Sequence, residues 1–157
     1  MDEKSSSEPP QPLKQELQFE LERVEETVEE IEDLRGDLEE GTPDLRDQAA
    51  AAKFMGDVYM GIENVLKRVL KFQCEKRPSG ERWHVELFEQ CWAPADSSLP
   101  VLFQGRWIER TDSFRRFRHV THHGYALDLE WNRLREGLRE ARPVFDHFRD
   151  RVDQFLA

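Results

Sequence analysis

A chain of 157 residues fits one domain rather than two. With 38% hydrophobic and 36% charged residues it can build a modest core, but no apolar run approaches the ~20 residues a bilayer span needs. Eight prolines and eight glycines exclude collagen-like and Gly/Pro-rich disordered classes. Cys74 and Cys91, in neither C-x-x-C nor zinc-type spacing, argue against a disulfide scaffold or a cysteine-rich zinc site. The polar, acidic start MDEKSSSEPP has neither the apolar stretch of a signal peptide nor the arginines of a transit peptide. The expectation is a soluble, cytoplasmic protein.

Residues 1–12 read as a Ser/Pro/Glu-rich disordered tail, and 13–157 as a single helical domain. From Leu13 an apolar stripe recurs at Leu17, Leu21, Val24, Val28, Ile31, Leu34 and Leu38 in steps of three and four, the period of a long helix. Gly41 stops it, and Thr42-Pro43-Asp44 supplies an N-cap, a first position and an acidic first turn for the next helix. That second helix runs from about Pro43 to Cys74. Its apolar positions are Leu45, Ala49, Ala52, Met55, Tyr59, Ile62, Leu66 and Val69, and its alanines with Gly56 and Gly61 point to close packing on a neighbour. A short third helix covers Glu81 to about Trp92, and a fourth spans roughly Leu102 to Arg118. The last begins near Asp128 with a stripe at Trp131, Leu134, Leu138, Ala141, Phe145, Phe148, Val152 and Phe155. Its register continues across Pro143, which predicts one bent helix or two collinear ones. No β-alternation of useful length occurs, so the fold class is all-α, a four- to five-helix up-and-down bundle.

The charge is unevenly placed. Residues 1–47 hold 17 acidic and 5 basic side chains, whereas 48–157 hold 16 and 18. The strongest basic stretch, Gly105 to His123, carries Arg106, Arg110, Arg115, Arg116 and Arg118 against Glu109 and Asp112. An overall charge of −10 opposes non-specific nucleic-acid binding. Contacts to phosphate are nevertheless made locally, within a Debye length of about 8 Å.

The run Arg118-His119-Val120-Thr121-His122-His123-Gly124-Tyr125 reads as a junction between two helices, a common location for sites. Arg118 offers a planar fork for phosphate, and a histidine can move a proton near neutrality. Together they suffice for metal-free RNA cleavage. A base takes the 2′-OH proton, the 2′-oxygen attacks phosphorus, and arginine steadies the developing charge. DNA lacks the 2′-OH and resists this route.

Arg118, His123 and Tyr125 spell R-x4-H-x-Y. This motif resembles that of the HEPN superfamily, and most closely the HepT toxins of HepT–MNT toxin–antitoxin pairs. Phe114-Arg115-Arg116-Phe117-Arg118-His119-Val120 is similar to the approach to that motif, and Glu81-Arg82-Trp83-His84-Val85-Glu86-Leu87 to a second block of one HepT-like branch. The resemblance covers roughly residues 14–156. It implies a HEPN-like bundle acting as a homodimer whose two motifs face one cleft, and a metal-independent endoribonuclease for messenger or transfer RNA. Arg118 and His123 would form the catalytic pair, with His119 assisting and Arg115 and Arg116 binding substrate. Tyr125 matches the tyrosine to which a minimal nucleotidyltransferase (MNT) antitoxin adds AMP from ATP. The chain itself would need no cofactor, metal or membrane.

Other readings of the same residues stay open. The motif could hold RNA or a nucleotidyltransferase without cutting, as a non-catalytic HEPN module, or the chain could be a purely structural helical dimer. A nucleotidyltransferase in this chain is disfavoured, for want of a Gly-Ser followed by paired carboxylates and of a sheet to carry them. His119, His122 and His123 lack a Cys or carboxylate co-ligand at helical spacing, which argues against a metal. His122 reads as a bystander, Trp83 as core, and His84 as a hydrogen-bonding residue near a helix cap rather than a catalytic one. The acidic N-terminal third reads first as a solvated helix face and second as a docking face for a basic partner. Leu102-Phe103-Gln104-Gly105 resembles a picornaviral protease cleavage site, by coincidence.

Overall fold

The computed structural model describes residues 9–38, 41–73, 80–94, 100–123 and 130–157, with the backbone alone at 120–123. Five helices account for most of them: α1 Gln11–Leu38, α2 Leu45–Phe72, α3 Trp83–Gln90, α4 Arg106–His123 and α5 Trp131–Leu156. No strand occurs among the described residues, so the protein is all-α.

Cross-helix contacts set the directions. Gly61 of α2 meets Val24 of α1, and Arg68 reaches back to Glu16 at 2.7 Å, so the two helices are antiparallel. Arg142 of α5 pairs with Glu32 and with Glu25, the latter at 2.5 Å, and Arg149 with Glu25, which runs α5 antiparallel to α1. Arg110 bridges to Glu140, and Phe117 lies against Gly137, so α4 opposes α5. The four long helices thus alternate up and down, with α3 inserted after α2. α2 touches all four other helices and is buried on most sides, whereas α1 buries only one stripe.

That stripe is the one expected: Leu13, Leu17, Leu21, Val24, Val28 and Ile31 are buried. Some acidic residues of α1 are used internally, through Arg68 and through Arg142, whose guanidinium keeps its proton more tightly than usual. Partial desolvation works against this, but the hydrogen bonds to Glu25 and Glu32 outweigh it. Exposed pairs of this kind stabilise by at most about 1 kcal/mol each. Apolar burial holds α1 in place.

Three expectations about α2 and α4 are corrected. The N-cap of α2 is Asp44, not Thr42. The Asp44 carboxylate accepts from the Asp47 N–H at 2.8 Å, and the Asp47 carboxylate accepts from the Asp44 N–H at 2.9 Å. This reciprocal pair satisfies two orphan donors, and the backbone bond from Asp47 holds the Asp44 carboxyl below its usual range. Leu45 and Ala49 are exposed rather than apolar contacts, because they fall off the buried face in the first turns. α4 begins at Arg106 instead of Leu102. The Leu102 and Phe103 N–H groups both donate to the Cys91 carbonyl, at 2.7 and 3.3 Å, and Arg151 donates to the Val101 carbonyl at 2.7 Å. Gly105, at φ 58°, takes the left-handed conformation that turns this segment into the helix. Leu102-Phe103-Gln104-Gly105 is therefore integral to the packing, with Phe103 stacked on Phe148 at 5.3 Å between ring centroids.

α5 passes through Pro143 as one helix. Pro143 is exposed and lies on the side of α5 away from the core. Cys91 is a buried free thiol, and burial raises its pKa, which suits a structural role. Cys74 lies outside the described residues.

Gly61 shows how closely α1 and α2 approach. A Cβ there would stand 2.2 Å from Val24 Cγ2, and a β-branched valine in a helix has little rotamer freedom with which to yield. Gly61→Ala gains up to about 1 kcal/mol of helix propensity and incurs about 1–3 kcal/mol of overpacking. A net destabilisation is expected, read as a lower urea midpoint with an unchanged slope.

Candidate functional site

α2 presents Tyr59, Glu63 and Lys67 at intervals of four, one turn each, along a single face. α3 begins across from it with Trp83 and His84, and α4 brings Arg115, Arg118 and His119. Together these residues line a cleft of about 230 Å³.

Glu63 and Thr111 are the buried polar residues of the described part. The Glu63 carboxylate is only 5% exposed, and an ionised group so placed requires partners. It has two: His84 Nδ1 lies 2.7 Å from Oε2, and Lys67 Nζ lies 3.4 Å from Oε1. The Trp83 ring lies over the His84 ring with centroids 3.4 Å apart, and Lys67 Nζ sits 4.8 Å from the Trp83 ring centre. Trp83 is thus half-buried at the edge of the core it packs against, and it holds the His84 ring and the Lys67 ammonium beside Glu63. The Tyr59 hydroxyl is buried without a hydrogen-bond partner among the described residues. Its pKa is pushed well up, first by burial and then by the Glu63 charge, so it remains a neutral donor.

Arg115 and Arg118, three residues apart on α4, share a face and both line this cleft. Arg115 is anchored by Asp112, Nε to Oδ1 at 2.6 Å. Arg116, expected beside them, turns elsewhere. Its Nε lies 3.1 Å from Asp112 Oδ2, it is well exposed, and it lines a separate cavity of about 400 Å³ with Arg110, Arg133, Glu136 and Glu140. The structure therefore gathers Arg115, Arg118 and His119 in one place and sets Arg116 apart.

The motif is not an irregular junction over its first six residues. The α4 backbone stays helical through His123. His119 and His123 are one turn apart, and His122 stands one turn after Arg118. The side chains of His122 and His123 lie outside the described residues, as does Tyr125 altogether.

Sequence reasoning missed Tyr59, Glu63 and Lys67 and assigned His84 no part in a site. The available signal was an acidic residue in the middle of the most apolar of the long helices, flanked by Tyr59 and Lys67 at four residues either way. A carboxylate on a buried face implies a partner, and Trp83-His84 was the aromatic-imidazole pair at hand. Chemically, the cleft combines two guanidinium groups, an ammonium and two imidazoles with one carboxylate. Such a site suits an anion such as a phosphodiester and provides proton carriers.

The sequence model of one protein family, described as HepT-like protein, matches residues 50–157, from the first turns of α2 to the end of the chain. No curated protein and no solved structure matches the chain.

Proposed function

The chain belongs to the HepT-like family, and on that premise we propose that it is the toxin of a HepT–MNT pair of type II/VII-like character. In this reading it is a metal-independent endoribonuclease, silenced when its antitoxin adds AMP to Tyr125. The observation that carries the reading is the placement of Arg118 and His119 together in a cationic cleft, on a helix whose backbone continues unbroken to His123.

Each residue has a task. His123 takes the proton of the 2′-OH, and the 2′-oxygen attacks the adjacent phosphorus. Arg118 holds a non-bridging oxygen and stabilises the charge that builds there, while His119 assists in handling phosphate or proton. Arg115 adds a second guanidinium on the same wall. Two copies of the chain would bring their motifs to one RNA-binding cleft. An AMP group on Tyr125, two residues beyond His123, would place bulk and negative charge where RNA must approach.

A second reading, a non-catalytic HEPN module that binds RNA or a nucleotidyltransferase, is favoured by two observations. Glu63 puts a carboxylate in the same cleft, and Asp112 engages both Arg115 and Arg116, which weakens the attraction for phosphate. RNA binding without cleavage would distinguish it.

The partner and the modification are tested by intact mass, with the chain expressed alone and beside a neighbouring MNT-type protein. The expected result is a gain of one or more AMP units only in the second case, mapping to Tyr125 and absent in Tyr125→Phe. The same AMP incorporation into Tyr125→Phe would reject Tyr125 as the target.

A further inference from the structure

Cleavage by 2′-OH attack needs two proton transfers, one from the attacking hydroxyl and one to the departing 5′-oxygen, and a single imidazole cannot perform both at once. We infer that His84, oriented by Glu63, is the general acid that protonates the 5′-oxygen. This rests on the ribonuclease reading above and deepens it.

Three observations support the inference. His84 lines the same cleft as Arg118 and His119, although it comes from α3, more than thirty residues away in the chain. Its Nδ1 is engaged by the Glu63 carboxylate at 2.7 Å and its ring is held against Trp83. With Nδ1 so bound, Nε2 is the nitrogen through which the ring exchanges a proton with a molecule in the cleft. A buried carboxylate behind a histidine fixes the ring's orientation and its tautomer. The third observation is independent. The Tyr59 hydroxyl, fully buried and lining the cleft, has no hydrogen-bond partner among the described residues. A buried donor without an acceptor is costly, and a phosphate oxygen in the cleft would satisfy it.

The step balances. The 2′-O–H proton passes to the base on α4, the 2′-O–P bond forms and the P–O5′ bond breaks. The 5′-oxygen takes the proton from His84 Nε2. The products are a 2′,3′-cyclic phosphate and a 5′-hydroxyl, and exchange with water restores both imidazoles. His84 is the catalytic residue here and Glu63 a positioning residue.

The test uses a short RNA with one ordinary linkage and a twin whose 5′-bridging oxygen is sulfur. A thiolate leaves without a proton, since a thiol is far more acidic than an alcohol. His84→Asn keeps a side-chain donor for Glu63 but cannot act as an acid. It is expected to cut the ordinary linkage about 10²-fold or more slowly than wild type and the sulfur linkage at close to the wild-type rate. Glu63→Gln is expected to show the same pattern more weakly. An unchanged rate on the ordinary linkage, or an equal loss on both linkages, would overturn the role of His84 while leaving the ribonuclease intact. A wild-type protein that cuts neither linkage would overturn the ribonuclease reading, and this inference with it.

Discussion

Arg118→Ala is expected to lower the rate of RNA cleavage by about 10²–10³-fold, equivalent to about 2.7–4 kcal/mol of transition-state stabilisation. The residue sits near the end of the described side chains of α4, half-buried in the cleft wall. Neighbouring positions hold that wall in place: Phe114 is fully buried one turn earlier, and Asp112 anchors Arg115. In the proposed role, removing Arg118 takes away the guanidinium that would meet phosphate, while the apolar anchor of this turn, Phe114, stays in place. The thermal midpoint is expected to stay within a few degrees of wild type, and Arg118→Lys to recover only part of the rate, because an ammonium lacks the planar fork. Gel-based cleavage of a labelled RNA, with a melting curve for each variant, checks both statements. Full activity in Arg118→Ala would remove it from the mechanism.

The largest expected effect on stability is that of Phe148→Ala. Phe148 belongs to an aromatic cluster: its ring stacks on Phe103 at 5.3 Å, and Phe103 in turn meets Phe88 at 5.6 Å. All three are buried. The cluster ties α5 to α3 and to the segment ahead of α4, the element that starts the helix carrying Arg118. Truncation leaves a cavity in a region fixed by the shared Cys91 carbonyl and by Arg151, so little collapse can relieve it. A destabilisation of about 3–5 kcal/mol is expected, a large share of the 5–15 kcal/mol typical of a domain. Urea unfolding followed by circular dichroism measures it. A cost under about 1 kcal/mol would show that the cluster is not a supporting element.

Much of the fold was legible because helices announce themselves by period. The stripes of α1 and α5 correspond position by position to buried side chains, Leu13 to Ile31 and Leu134 to Val152. The limits appear where local signals compete. Thr42-Pro43 and Asp44 both fit a helix start, and only the reciprocal bonds between Asp44 and Asp47 decide in favour of the latter. Leu102 and Phe103 are apolar at helical spacing from Arg106, yet their backbone groups bind Cys91 instead, a tertiary choice invisible to periodicity.

The candidate site was legible in one half. The sequence motif marks Arg118 and His119, which line the cleft, because they are adjacent along the chain; the side chain of His123 lies outside the described residues. Glu63, Lys67 and His84 reach the cleft from two other helices, and nothing local relates them to Arg118. Arg115 and Arg116 are adjacent in sequence, but neighbouring residues of a helix point about 100° apart. One faces the cleft and the other a different cavity.

The most direct test of the central claim is the chemistry of the ends produced when the wild-type protein meets RNA in the presence of a metal chelator. A site that uses the 2′-OH, with Arg118 and histidines and no metal, is expected to leave 2′,3′-cyclic phosphate and 5′-hydroxyl ends and to leave DNA of the same sequence uncut. Cleavage that stops with the chelator, or that yields 5′-phosphate ends, would contradict that claim.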